Sequence, residues 1–420
     1  MQPLPGFRDF LPDDCAARNI IFARWREVCR RYGFVEWDGP VLEPTVLYKK
    51  KSGPEIVAQL FNFTDKGERD VALRPELTPT LARVVATHER EFKKPLKWFS
   101  IGQFFRYEKQ QRGRLREHYQ LNCDLIGDDS LGADIELIAL CVDVLRAFGF
   151  SEGDFVVRVS DRRAWGDYLS NEGVDVTGER LNDILAIIDK LERVERTKSD
   201  EQLRMLGTSL EQVEKLIQLP ENYFDGFNRM RKELRARGIG GFVRITPGIV
   251  RGLTYYTGFV FEVFDSQEKF RAIAGGGRYD QLIGQLSDGA VSLPAIGFAM
   301  GDVVLGDMIA EVPAARARMA EFVRQESALD LYLVIAKEER REDALRQLQL
   351  LREAGWRVDY PLTPAKVGKQ FQTAEALGAK ATLLFGDEWP AVKMKKLATR
   401  EEILVPHEEV LARVKHALSS

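Results

Sequence analysis

Between Glu117 and Leu125 the chain alternates without a break: Tyr119, Leu121, Cys123 and Leu125 are apolar, while His118, Gln120, Asn122 and Asp124 are polar. A period of two marks a strand, because successive side chains point to opposite faces. One face must pack on a core, and the other presents imidazole, amide and carboxylate in a row. The segment Trp98–Glu108 reads as its partner and places Arg106 and Glu108 on a common face; the connecting turn carries Lys109, Arg112, Arg114 and Arg116. A guanidinium suits bidentate contact with phosphate, and a carboxylate can accept from an ammonium or an imidazole N–H. An amphipathic hairpin with a solvated face shows the same pattern, so the hairpin alone leaves pocket and solvated face evenly balanced.

The flanking elements limit the fold. Asp13 or Asp14 is expected to cap a helix running to about Tyr32, with Ile21, Trp25, Val28 and Cys29 on one face and Gly33 as the stop. A short extended piece, Phe34 to Val41, follows. Thr78-Pro79 reads as the cap and first turn of a helix through Leu81, Val84, Val85 and His88, and Ser130 as the start of one ending near Gly149. Residues from about 177 to 235 are charged and helical in period, an insertion rather than part of a sheet. Strands are expected again at Phe242–Ile245, Gly258–Phe264 and Phe270–Ala274, with a helix starting over Gly297–Leu305. Strands grouped with flanking helices make an α+β domain with a mainly antiparallel sheet. From about 306 to 327 the chain reads as a linker helix. Beyond it, Leu329–Ile335, Trp356–Tyr360 and Ala381–Phe385 alternate with helical stretches, as in a small α/β domain. Two domains are therefore expected, 1–327 and 328–420.

Composition excludes several classes. Net charge is −3, from 61 basic against 64 acidic residues, so nothing draws the whole chain towards nucleic acid, and a polynucleotide partner needs a local basic patch. No run approaches the roughly 20 apolar residues of a membrane span. The opening Met1-Gln2-Pro3-Leu4-Pro5 shows no secretory signal. Cys15, Cys29, Cys123 and Cys141 lack CxxC spacing, which suits free thiols in a reducing cytosol better than disulfides or zinc. No metal-ligating set of residues is expected.

Three further segments carry chemistry. Leu73-Arg74-Pro75-Glu76-Leu77-Thr78 offers a carboxylate and a hydroxyl at the mouth of a helix, although Thr78 could be a simple N-cap. Ala274-Gly275-Gly276-Gly277-Arg278-Tyr279-Asp280 puts three glycines at the end of a strand, where a ligand can approach the backbone or the chain can turn tightly. Val250-Arg251-Gly252-Leu253-Thr254-Tyr255-Tyr256 sets an arginine beside paired tyrosines that could pack or bind.

Taken in this order, the segments resemble histidyl-tRNA synthetases over nearly the whole chain. Leu4 to Pro12 resembles the family's N-terminal signature. Tyr32-Gly33-Phe34 through Pro40 and Glu43 resembles class II motif 1, which implies a homodimer. Phe105-Arg106-Tyr107-Glu108 with Gly113-Arg114 and Gln120 to Asp124 resembles motif 2. Arg251 to Tyr256 resembles the histidine-specific motif, followed as in the family by Gly275 to Asp280. The domain from about 328, with Gly368-Lys369-Gln370-Phe371, Ala374, Leu377-Gly378-Ala379 and a patch of Lys393, Lys395 and Lys396, resembles a class II anticodon-binding domain. The resemblance implies a class II synthetase catalytic domain that activates L-histidine with ATP in the cytoplasm and charges tRNA(His), without a prosthetic group. It places Arg106 on the α-phosphate, Glu108 and His118 on the adenine side, Arg114 also on ATP, and Glu76, Thr78, Gln120 and Asp124 on the ammonium and imidazole. It sets Arg251 on the reacting carboxylate and phosphate, and Tyr255 and Tyr256 around the ring. Mg²⁺ is expected with ATP, held chiefly by phosphates and water.

The sequence departs from the family at three positions. Gly301 is followed by Asp302-Val303-Val304, where the third class II motif reads Gly-Leu-Glu-Arg, so Val304 stands for the arginine and Arg114, Arg116 or Arg278 would cover the γ-phosphate. Thr254 replaces a usual aspartate, and His118 an aromatic that stacks on adenine. The alternative is a synthetase-like regulatory subunit of histidine biosynthesis. Such paralogues usually lack both the C-terminal domain and the arginine of the histidine motif, and this chain has both.

Overall fold

The protein was studied as a computed structural model, which describes residues 2–51, 54–109, 113–191, 194–219, 225–251 and 255–418. The chain divides into two compact units, Met1–Met319 and Ala320–Ser420. The division falls inside a helix, Pro313–Ser327. The linker expected over about 306–327 is thus two helices, Asp302–Glu311 and Pro313–Ser327. The first buries Leu305, Met308 and Ile309 in the core, and proline opens the second because its missing N–H costs nothing in a first turn.

The first unit is built on an eight-stranded sheet. In spatial order its strands are Val35–Glu36, Leu96–Phe105, Glu117–Ile126, Ala295–Gly301, Ala274–Arg278, Phe259–Asp265, Phe155–Asp161 and Val243–Ile245. The inner pairings are antiparallel, and only the outermost on each edge is parallel. Helices Pro12–Arg31 and Leu131–Arg146 cover one face and bury Trp25, Val28, Ile138 and Val142 against Leu121, Cys123, Leu125, Phe261 and Phe298. Each such large apolar side chain contributes on the order of 1.5–3 kcal/mol on burial. The apolar half of the alternation in 117–125 is therefore core.

Several boundaries differ from the sequence reading, each for a local reason. Neither Asp13 nor Asp14 caps the first helix: Leu11 is the N-cap and Pro12 opens the helix. The two aspartates lie in the first turn, where the helix dipole favours them. Leu77 rather than Thr78 precedes the helix Thr78–Thr87, which frees the Thr78 hydroxyl from capping. Ser130 does cap Leu131–Arg146, accepting from the Ala133 N–H, and that helix ends at Arg146. The strand expected at Phe270–Ala274 is instead the glycine run itself, Ala274–Arg278. Gly297–Leu305 does not start a helix; Ala295–Gly301 is a central strand, and the helix begins at Asp302. Arg106 and Glu108 lie just beyond the end of Leu96–Phe105 rather than within it.

The insertion consists of helices Arg180–Ile188, Arg196–Met205, Leu210–Ile217 and Asp225–Ala236. The first three share a small core with Trp165 and Leu169, and Val250 is part of it.

The second unit holds a five-stranded sheet in the order Val358–Asp359, Leu331–Ile335, Ala381–Phe385, Ala391–Lys396 and Glu402–Pro406. The first three strands run parallel and the last two antiparallel. Helices Arg341–Glu353 and Val410–Leu418 bury Leu348, Leu351, Val410 and Val414 on it. Gln370 is buried and clasps Ile335 through both backbone groups at 2.8 Å, so it docks the helix Val367–Ala376 on the sheet and offers nothing to a ligand. The lysine patch is compensated: Lys393, Lys395 and Lys396 pair with Glu388, Glu402 and Glu401.

Candidate active site

The other face of the large sheet is hollow because its central strands present glycine and alanine there. Gln120, Asn122 and Asp124 stand opposite Gly301, Ala299 and Gly297, and Ala299 and Gly297 stand opposite Gly275 and Gly277. The polar row therefore finds nothing to pack against, and a cavity of about 640 Å³ opens over it. A Cβ on Gly297 would lie 1.9 Å from the Asp124 Oδ1, so the glycine makes the carboxylate's position possible.

Every site residue expected from the sequence lines this cavity: Glu76, Thr78, Arg106, Glu108, Arg114, His118, Gln120, Asp124, Arg251, Tyr255 and Tyr256. The guanidiniums of Arg106 and Arg251, from segments far apart in the chain, share it with the carboxylates of Glu76, Glu108, Asp124 and Glu262. Gly252, Leu253 and Thr254 of the histidine-like motif, and Arg112 of the turn, lie outside the described residues.

One end of the cavity is aromatic and acidic. The Tyr255 hydroxyl donates to Glu76 Oε2 at 3.0 Å, and the Tyr279 hydroxyl donates to Asp124 Oδ1 at 2.5 Å. Burial pushes the Asp124 carboxyl up to about 7, and the Tyr279 bond only partly offsets it. Burial, helped by Asp124, also holds the Tyr279 phenol well above its ordinary value, which keeps it a donor. Leu81, Val85, Val260 and Leu282 pack behind these rings.

The other end is cationic. Arg106 Nε donates to the Pro75 carbonyl at 2.9 Å, which aims the remaining nitrogens elsewhere, and Arg114 pairs with Glu108 at 2.7 Å. His118 lies between Phe104 and the cavity, ring centroids 6.0 Å apart. Burial, then the charges of Arg106 and Arg8, pull its pKa down to about 3, so it is a neutral flat ring at any physiological pH. Arg8 itself is tied to Asp302 at 2.9 Å.

Arg251, whose guanidinium carbon lies 5.6 Å from the Tyr256 ring centroid, has a left-handed backbone conformation, φ 50°, which costs a non-glycine residue energy unless its surroundings fix it. Buried Arg162 does so: its Nη1 donates to the carbonyls of Val250 and Arg251 at 3.1 and 3.0 Å, and its Nη2 to Asn182 Oδ1 of the insertion at 2.7 Å. Burial lowers the Arg162 pKa to about 10, still high enough to keep it charged. The Arg251 guanidinium reaches Glu262 at 3.3 Å. Burial works against its charge, but Tyr256, Glu262 and Tyr255 together hold its pKa above the ordinary value.

Of the arginines expected to replace the missing one near Val304, only Arg114 faces the cavity. Arg278 is fully buried, bonded to Asp134 at 2.6 Å and Asp280 at 3.1 Å, and ties sheet to helix. Arg116 lies over the Tyr107 ring at 4.1 Å and does not line the cavity. Sequence reasoning missed Arg271, which lines the cavity with Val303 and Val304. Asp265 accepts from the Lys269 and Phe270 N–H groups at 3.0 and 2.9 Å, and this fixes the turn that presents Arg271. It also missed Glu262, whose one signal was a carboxylate in the run Phe259-Val260-Phe261-Glu262-Val263-Phe264.

Residues 6–302 match the model for histidyl-tRNA synthetases, and residues 330–417 the model for anticodon-binding domains. The chain belongs to the histidyl-tRNA synthetase family. It is 44% identical to the histidine–tRNA ligase of Opitutus terrae over 100% of this chain and 99% of that one. The histidyl-tRNA synthetase structure from Nostoc superposes with a TM-score of 0.77 at 23% identity, covering 99% of both chains. A Bacillus halodurans structure described as an ATP phosphoribosyltransferase regulatory subunit/histidyl-tRNA synthetase matches with a TM-score of 0.67 at 21% identity, over 89% of this chain and 96% of that one. At such identities the structures establish the fold, an α+β catalytic unit followed by an anticodon-binding domain.

Proposed function

We propose that the chain is a histidine–tRNA ligase that forms histidyl adenylate from L-histidine and ATP and passes the histidyl group to the 3′ end of tRNA(His). The observation that carries this reading is the shared cavity, in which Arg106 and Arg251 face the slot formed by Glu76, Asp124, Tyr255 and Tyr256. Full-length similarity to a protein named as a histidine–tRNA ligase, with the anticodon-binding domain matched, favours it over the regulatory paralogue.

Histidine enters with its ammonium towards Glu76, Thr78 and Gln120 and its ring between Tyr255 and Tyr256, where Asp124 accepts an imidazole N–H. ATP lies with adenine against the neutral His118 and Glu108, and its α-phosphate between Arg106 and Arg251. The histidine carboxylate attacks the α-phosphorus and pyrophosphate leaves. The two guanidiniums stabilise the charge on the phosphoryl oxygens as it develops, so the work is positioning and fixed electrostatics. A ribose hydroxyl of the tRNA then attacks the histidyl carbonyl and AMP departs. Val304 offers no charge, and Arg114 and Arg271 take the β- and γ-phosphates. Mg²⁺ bound with ATP would be held chiefly by the phosphates and water and would neutralise part of their charge; among the described residues no group of three His, Cys, Asp or Glu side chains is placed to hold a metal ion.

The second unit reads the tRNA, and the cytoplasm, where translation runs, is the compartment of action. Exposed Val35, Val41, Leu42 and Val46 line the motif 1 region as a surface for a second copy. ATP–pyrophosphate exchange that depends on histidine alone is the test. If purified protein shows none, the regulatory reading stands instead.

A further inference from the structure

A carboxylate on the wall of a site that must admit ATP works against binding, because it repels the polyphosphate. Glu262 is such a group, and its geometry shows what offsets the cost. Its Oε1 lies 3.3 Å from the Nη1 of Arg251, which also donates to the Phe261 carbonyl at 3.3 Å. Glu262 pairs directly with Gly275 on the neighbouring strand, so carboxylate and glycine stand side by side on the cavity face. A Cβ on Gly275 would lie 1.4 Å from that same Nη1. The guanidinium thus lies in the space that the glycine leaves vacant, with the carboxylate at its flank.

We propose that Glu262 is the positioning residue for Arg251: with Gly275 as the recess, it holds the guanidinium at the place where the α-phosphate and the histidine carboxylate meet. This rests on the role given to Arg251 above. The Phe261 carbonyl and the Tyr256 ring, 5.6 Å from the guanidinium carbon, also touch this side chain, but Glu262 is the charged acceptor, and it anchors one nitrogen while leaving the other face of the fork for substrate.

The test uses the full-length chain in histidine-dependent pyrophosphate exchange. Glu262→Gln, which keeps the shape and removes the charge, is expected to lower kcat by roughly 10–100-fold, the scale of a group misplaced by about an ångström. The KM for histidine should change less than about threefold, and the KM for ATP should not rise, since a repelling charge is gone. Glu262→Asp is expected to recover part of the lost kcat. On an Arg251→Ala background Glu262→Gln should cost nothing further, because the group it positions is absent. A Glu262→Gln enzyme with wild-type kcat overturns the proposal, and so does an equal loss on both backgrounds. An Arg251→Ala enzyme with wild-type kcat would instead overturn the assignment of Arg251, and the positioning role with it. Should Glu262→Gln fail to fold, Gly275→Ala provides the second arm: kcat must fall with histidine KM retained, and unchanged kcat rejects the recess.

Discussion

Gly297→Ala adds one methyl group to the floor of the cavity, and the structure fixes where that methyl must go. Its carbon would lie 1.9 Å from Asp124 Oδ1 and 3.0 Å from the Cys123 carbonyl. The strand cannot retreat, since it is paired on both sides, so the Asp124 carboxylate must swing away and break its 2.5 Å bond from Tyr279. Two costs follow. Overpacking destabilises the fold by about 1–3 kcal/mol. Losing a charged hydrogen bond to the imidazole weakens histidine binding by roughly 1.5–3 kcal/mol, which corresponds to about a 10–150-fold rise in KM at 1.4 kcal/mol per tenfold. Pyrophosphate exchange at varied histidine measures the KM, and thermal unfolding measures the stability. The KM for ATP should move far less, because the nucleotide end of the cavity is untouched. A folded Gly297→Ala enzyme whose histidine KM stays within twofold of wild type would refute the reasoning, for Asp124 would then not be the group that reads the ring.

Other expectations follow from the same geometry. The Asp124 carboxyl, pushed up to about 7 by burial, loses its ionised, accepting form as pH falls through that value. In pH profiles kcat/KM for histidine should therefore drop on the acidic side of about 7, and Asp124→Asn should lower the plateau and remove that limb. Arg271→Ala should raise the KM for ATP by roughly tenfold, the effect of losing one charge-assisted contact, with histidine KM preserved; unchanged ATP kinetics would leave the β- and γ-phosphates to Arg114 alone. A chain ending after Ser327 retains the whole first hydrophobic core and should still exchange pyrophosphate while charging tRNA poorly, which aminoacylation assays would show. Trp25→Ala should destabilise by about 3–5 kcal/mol, since Trp25 is completely buried, and denaturant unfolding reports that directly.

Where the sequence was readable, a local rule and the tertiary environment agreed. The alternation from 117 to 125 is legible because one face is core and the other is cavity, and the period of two survives intact. The central strands 274–278 and 295–301 were misread for the opposite reason. Their glycines and alanines are present to make space for Arg251 and Asp124, and small residues carry almost no strand signal. Arg278 looked like a phosphate ligand because it sits in a motif, yet its partner Asp134 is 144 positions away, a pairing no local pattern announces. Arg271 owes its place to a turn that Asp265 shapes, and its side chain alone gives no hint of that. The residues that shape the site by absence, or from a distance, were the ones a linear reading could not see.

Arg162 joins parts of the molecule that would otherwise be treated as separable. One guanidinium holds the main chain at Val250 and Arg251 and, with its other arm, a helix of the insertion through Asn182. An insertion exchanged with that of a relative would bring a foreign neighbour to this anchor. Any shift of the helix Arg180–Ile188 would be transmitted to the one backbone position in the cavity that tolerates it least.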